Sequence, residues 1–109
     1  MSTDQKDPMG QAIVDYAKHK VSKDIIVVSE ICDDDVIPSE YLFRTYNEMP
    51  KIEQLALGRC VGKILDVGAG AGIHAMHLME QGKDVSCIDI SELSVSYLKE
   101  QKVEARQID

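Results

Sequence analysis

The stretch Ile64-Leu65-Asp66-Val67-Gly68-Ala69-Gly70-Ala71-Gly72 constrains this chain more than any other. An apolar run that ends in alternate glycines reads as a strand, a tight turn and the start of a helix. With no Cβ in the way, such a turn lets the backbone approach a ligand closely. The helix after it opens with free N–H groups and a positive dipole end. The rhythm then repeats. Asp84 to Asp89 reads as a second strand, Ser91 as the cap of a further helix, and Val103 to Ile108 as the beginning of a third strand. Strand, helix, strand, helix, strand predicts parallel strands joined by right-handed crossovers, an α/β three-layer sheet with helices on both faces. A βαβ unit takes about 30 residues or more, so 109 residues hold only the first half of a doubly wound sheet.

The lead-in, residues 1–62, is set apart from the sheet-forming part, 63–109. Its first ten residues are polar, contain Asp7-Pro8 and Gly10, and read as a frayed start. Ile13, Val14 and Ala17 place a short helix over Gln11 to Lys20. Asp24 to Ile31 reads as a strand, and Cys32 to Pro38, with Asp33, Asp34 and Asp35, as a loop. The consecutive aspartates lack the alternate spacing and glycine of a calcium loop. A short aromatic segment, Ser39 to Tyr46, follows. Pro50 then opens a helix whose apolar stripe is Ile52, Leu55, Ala56 and Cys60, with Gly62 placed to end it. Beyond the glycine turn, Ala71, Ala75, Leu78, Met79 and Gly82 are expected to share one helix face. Val95 and Leu98 belong to the inner face of the next helix.

Spacing selects the ligand. The dinucleotide fingerprint is Gly-x-Gly-x-x-Gly. Gly68 and Gly70 fit it, but position 73 is Ile and the third glycine comes early, at Gly72. Asp66, two residues before the first glycine, is unhelpful beside a pyrophosphate and helpful beside a cation. S-adenosylmethionine has no phosphate and carries a sulfonium and an ammonium. Asp89 ends the second strand roughly twenty residues further on, where an acid can accept both hydroxyls of a ribose. Asp66-x-Gly68-x-Gly70-x-Gly72 with Asp89-Ile90-Ser91 resembles the class I, Rossmann-like S-adenosylmethionine-dependent methyltransferases, over Lys63 to Asp109.

The resemblance implies a role for each matching residue. Asp66, Gly68, Ala69, Gly70 and Gly72 would hold the methionine end of the cofactor. Asp89 would hold the ribose, Ile90 would lie against the adenine, and Asp109 would meet the adenine amino group. Ile37-Pro38-x-x-Tyr41-Leu42-Phe43-Arg44 and Glu48-Met49-Pro50 look like the lead-in of some methyltransferase-like proteins. They make Tyr41, Arg44 and Tyr46 candidates for a lid or substrate contact, while Leu42 and Phe43 read as packing. The family's fourth strand, beside the transferred methyl group, has no counterpart here. The chain is therefore expected to be a truncated domain, inactive by itself, with its catalytic residues unidentified.

Composition removes several partners. Lys plus Arg total 12 against 19 Asp plus Glu, a net charge of −7. That balance disfavours nucleic acid and anionic membrane surfaces. No apolar run is long enough to span a bilayer, and no secretory signal opens the chain. Cys32, Cys60 and Cys87 are odd in number and form no Cys-x-x-Cys, which points to a reducing cytoplasm. His74 and His77 are neighbours on a helix but lack a third ligand, so no metal is expected. The expected methyl acceptor is a small molecule. The exposed sheet edge and uncovered apolar surface of a half domain predict self-association, with exchanged elements as one route. Two other readings stay open: a non-catalytic nucleoside-binding module, and an NAD-dependent oxidoreductase fragment, against which Ile73 already speaks.

Overall fold

The computed structural model describes residues 7–22, 24–27 and 35–108. Helix α1 (Pro8–His19) is followed by strands β1 (Asp24–Val27) and β2 (Asp35–Pro38), which pair antiparallel. Two short 3-10 turns, Ser39–Phe43 and Tyr46–Glu48, lead into α2 (Lys51–Gly58). Then come β3 (Lys63–Val67), α3 (Ile73–Glu80), β4 (Asp84–Asp89), α4 (Glu92–Glu100) and β5 (Ala105–Gln107). Strands β3, β4 and β5 lie side by side in that order and run parallel. This is the α/β half sheet that the repeating pattern predicts.

Register decides which side chains share a face. Ile64 lies beside Val85 and Asp66 beside Cys87, while Leu65 lies beside Ser86 and Val67 beside Ile88. The face with Ile64, Asp66, Val85 and Cys87 looks into the core. There it meets Leu57 of α2, Ala75 and Leu78 of α3, and Leu98 of α4. The opposite face is bare among the described residues: Leu65 is 56% and Val67 70% exposed. The outer edge of β3 also pairs with no strand among them. So the expected helix cover is present on one face of the sheet.

The lead-in differs from expectation in several places. Helix α1 begins at Pro8 rather than Gln11, because Asp7 caps it: the Asp7 carboxylate accepts the Gly10 N–H at 3.0 Å. A capping acid followed by proline is a helix start, not a frayed end. Residues 35–38, expected in a loop, form β2, since Val36 and Ile37 pair back onto β1. The expected strand residues 28–31, Cys32, Asp33 and Asp34 lie outside the described residues. Helix α2 is turned away from its predicted stripe. Ile52 is 77% exposed, Leu55 and Ala56 are exposed, and Leu57 is buried instead. The polar residues Glu53 and Gln54 face inward because they are bonded there, Glu53 to Arg44 and His74, Gln54 to the Tyr46 carbonyl. The helix stops at Gly58, before Gly62.

In α3, Ala75 and Leu78 are buried as expected, with Ala71 just before them, but Met79 and Gly82 are exposed, because the helix ends at Glu80. Strand β5 is shorter than Val103 to Ile108. Val103 is buried in the connection that precedes it. Phe43 packs as predicted, between the rings of Tyr16 on α1 (4.8 Å) and Tyr97 on α4 (6.0 Å). Such ring pairs contribute beyond their buried area, and they fasten the lead-in to the sheet's helices.

Leu98 is fully buried at the centre of the core. Leu98→Ala should cost about 3 kcal/mol in urea unfolding. A Cβ on Gly72 would run into the Leu98 side chain, and Gly72 has φ +75. Gly72→Ala should therefore cost about 2 kcal/mol or more. A Gly72→Ala chain as stable as the parent would contradict this packing.

Candidate functional site

The site is built where β3 and β4 end side by side. After β3 the chain turns through Gly68, Gly70 and Gly72, all with positive φ. The Gly68 N–H is held by the Ile88 carbonyl of β4 at 2.9 Å, so the turn is drawn over the end of the neighbouring strand. Added Cβ atoms at Gly68 and Gly70 would meet nothing within 4 Å, whereas one at Gly72 would collide with α4. The three glycines thus divide their work. The first two open onto free space and the third lets α3 and α4 close up.

Asp89 lies at the end of β4 and joins the two turns. Its Oδ2 accepts the Gly70 N–H at 2.9 Å, and its Oδ1 accepts the Ser91 N–H at 2.9 Å. Each oxygen keeps a free lone pair. The Ser91 side chain in turn accepts the Ser94 N–H at 3.0 Å, and the Ser94 hydroxyl donates to the Gly70 carbonyl. Gly70, Asp89, Ser91 and Ser94 therefore form a closed ring of hydrogen bonds. An open groove of ≈ 810 Å³ runs past it, lined by Asp89, Ile90, Ser91, Gln107 and, from the lead-in, Asp7 and Met9. Ile90 is 72% exposed in this groove.

Asp66 sits apart from that groove. It lines a smaller cavity of ≈ 250 Å³ with Glu53, Leu57, Cys60, Ile64 and His74. Its Oδ2 is buried and has no hydrogen-bond partner among the described residues. Burial pushes the Asp66 carboxyl above its ordinary pKa; His74 opposes this, and the Asp89 charge adds to it. Cys87, beside Asp66, is pushed up to about 12 by burial and by the Asp66 and Asp89 charges, so it is an inert thiol.

The remaining candidates are placed by their contacts. Arg44 is bound to Glu53 at 3.0 Å and lies over the Tyr41 ring at 4.0 Å. Tyr46 stacks on His77, with ring centroids 4.2 Å apart. His74 pairs with Glu53 at 3.0 Å. Glu53 is held below the usual carboxylate range by its bonds to His74 and Arg44. No group of His, Cys, Asp and Glu among the described residues could hold a metal ion. Asp109 lies outside the described residues. Asp7 and Ser94 were missed in the sequence. Asp7-Pro8 carried a readable signal as a helix cap, but the long-range partners of both residues left none.

Residues 65–109 match the family described as a methyltransferase domain. A solved structure of an S-adenosylmethionine-dependent methyltransferase from Bacteroides fragilis, in complex with S-adenosyl-L-homocysteine, matches at 48% identity with a TM-score of 0.85. Over residues 65–109 the chain is thus similar to methyltransferase domains, and its fold is that of the S-adenosylmethionine-dependent relative. The match covers 95% of this chain and 44% of that one, so the chain spans less than half the length of this relative. A second structure, described as "Conversion of a Disulfide Bond into a Thioacetal Group during Echinomycin Biosynthesis", matches at 25% identity and a TM-score of 0.47, over 53% of this chain and 27% of that one. No curated protein matches.

Within this methyltransferase fold the ionised form of Asp66 opposes folding. Its folded pKa lies above the unfolded value, so the folded state holds the proton more tightly. The stability this gives is present below the ordinary carboxylate pKa and is lost as pH rises through the raised value. Asp66→Asn should therefore raise the melting temperature at pH 7 and flatten that fall. Thermal unfolding of both chains from pH 3 to pH 8 checks it, and an unchanged pH profile would show that burial is not what perturbs this acid.

Proposed function

We propose that this chain binds S-adenosylmethionine and forms the cofactor-holding portion of a methyltransferase acting on a small molecule. One observation carries the reading. The Asp89 carboxylate is fixed by the Gly70 and Ser91 N–H groups on the wall of an open groove, with a free lone pair on each oxygen. Two adjacent acceptors suit the two hydroxyls of a ribose. The open space over Gly68 and Gly70 suits a ligand lying against the backbone. The Asp66 oxygen, without a hydrogen-bond partner among the described residues, suits a positively charged partner. The Bacteroides fragilis relative, bound to S-adenosyl-L-homocysteine, supports the same cofactor.

The cofactor supplies an activated methyl group on a sulfonium centre. The chain's residues bind and orient. Asp89 holds the ribose hydroxyls. Gly68, Ala69, Gly70 and Gly72 shape the turn at the methionine end. Ile90 offers an apolar surface to the base, and Asp66 adds negative charge near the cationic end. Methyl transfer is an in-line displacement, for which positioning supplies much of the rate. Tyr41, Arg44 and Tyr46 remain candidates for a lid or substrate contact; Arg44 is paired with Glu53 and lies over the Tyr41 ring, and Tyr46 stacks on His77. We assign the chain to the cytoplasm on its free thiols at Cys60 and Cys87. No helix among the described residues is long and apolar enough to cross a membrane.

The exposed Leu65 and Val67 and the β3 edge, unpaired among the described residues, favour self-association of the 109-residue chain, and that chain alone is expected to be inactive. A mass above the monomer in light scattering checks the first, and a strictly monomeric chain would contradict it. Calorimetric titration tests the cofactor. S-adenosylhomocysteine should bind and NADH should not, and Asp89→Ala should weaken binding by about 30-fold or more, the scale of a lost charged hydrogen-bond pair. Binding of NADH instead, or no effect of Asp89→Ala, would overturn the reading.

A further inference from the structure

The Asp7 carboxylate does more than cap its own helix. Its Oδ1 accepts the Gly10 N–H at 3.0 Å within α1. Its Oδ2 reaches across to α4, where it accepts the Ser91 hydroxyl at 2.7 Å and the Leu93 N–H at 3.1 Å. One side chain therefore closes the first turns of two helices that lie more than eighty residues apart in sequence. The approach is close. A Cβ on Gly10 would run into the Ser91 hydroxyl and the Asp7 carboxylate, and α1 packs along α4 through the Tyr16, Phe43 and Tyr97 rings.

Ser91 is the link that gives this contact consequence. Its hydroxyl is used twice, donating to Asp7 and accepting from Ser94. Its N–H holds Oδ1 of Asp89. Asp7, Pro8 and Met9 also form part of the wall of the groove that Asp89 lines. We infer that Asp7 is a positioning residue for the nucleoside: by fixing Ser91 it holds the Asp89 carboxylate in its ribose-accepting pose, and it makes the start of α1 a wall of the same groove. This inference rests on the proposed binding of an adenosyl cofactor and extends it to a lead-in residue outside the stretch that matches the methyltransferase family, which begins at residue 65.

The chemistry separates this role from simple helix capping. A serine at position 7 still caps α1 but is too short to bridge to Ser91 and Leu93. Asp7→Ser thus keeps the local cap and removes the bridge, and Asp7→Ala removes both. Both variants should bind S-adenosylhomocysteine about ten-fold more weakly than the parent, the scale of a lost hydrogen bond to a charged group. Circular dichroism should show the same helix content for Asp7→Ser as for the parent. Without any ligand, amide hydrogen exchange at Ser91 and Gly70, the two N–H groups held by Asp89, should speed up in Asp7→Ser. Exchange in the second and third turns of α1 should stay as it was. In a chain already carrying Asp89→Asn, Asp7→Ser should add little further loss, since two changes acting through one carboxylate do not add.

Parent-like binding and exchange in Asp7→Ser would overturn the inference and leave the cofactor reading standing. Losses that multiply in the double variant would also overturn it, because they would mean that Asp7 acts by general stability. A parent chain that binds no S-adenosylhomocysteine would sink the cofactor reading and this inference with it.

Discussion

The two hydrogen bonds that Asp89 accepts, from Gly70 and from Ser91, hold the site together. A carboxylate at the end of a parallel strand faces the N-terminal ends of the elements that follow, where N–H groups stand unpaired. Here one carboxylate satisfies a donor from the turn after β3 and another from the turn after β4. The two turns cannot move independently while both bonds hold. Ser94 repeats the link from the other side, donating to the Gly70 carbonyl from within α4. Ser94 is fully buried, so an unmade bond there would carry the full cost of desolvation. Two members of that ring, Asp89 and Ser91, stand in the groove wall beside the apolar Pro8, Met9, Ile90 and Leu93.

Apolar packing does its part beneath that ring. Val85 and Cys87 on β4 meet Ala75, Leu78 and Leu98 from the helices, and Gly72 gives Leu98 the room it fills. The charge in this core is Asp66, whose oxygen has no partner among the described residues. A buried unpaired acid destabilises the fold that contains it. The neighbouring Glu53 behaves oppositely. Its bonds to Arg44 and His74 keep it charged, and they tie α2 and the turn before it onto α3.

The sheet half of the chain was legible. The strands, the glycine turn, the Ser91 cap and the inner faces of α3 and α4 follow from a pattern in which propensity, periodicity and turn chemistry agree. The lead-in was less so, for reasons that differ from place to place. Asp7-Pro8 was a local signal, but its polar setting resembled an unstructured end. The stripe on α2 was misjudged because hydrophobic spacing says nothing about Glu53, which is drawn inward by partners from two other elements. Residues 35–38 pair with Asp24–Val27, and such pairing depends on a partner strand that no single window contains.

The sequence by itself determined the parallel α/β plan and the identity of the acid at the end of β4, because both are written in local spacing: period, glycine and cap. Tertiary structure alone decided that Asp66 faces a small cavity with one oxygen unpartnered among the described residues, that Arg44 and Tyr46 are engaged with Glu53 and His77, and that Asp7 joins the groove. Those outcomes depend on which side chains from distant segments arrive at the same place. Hydrogen bonds such as Asp7 to Ser91 reward that meeting only after the strands and helices between them have been set in order.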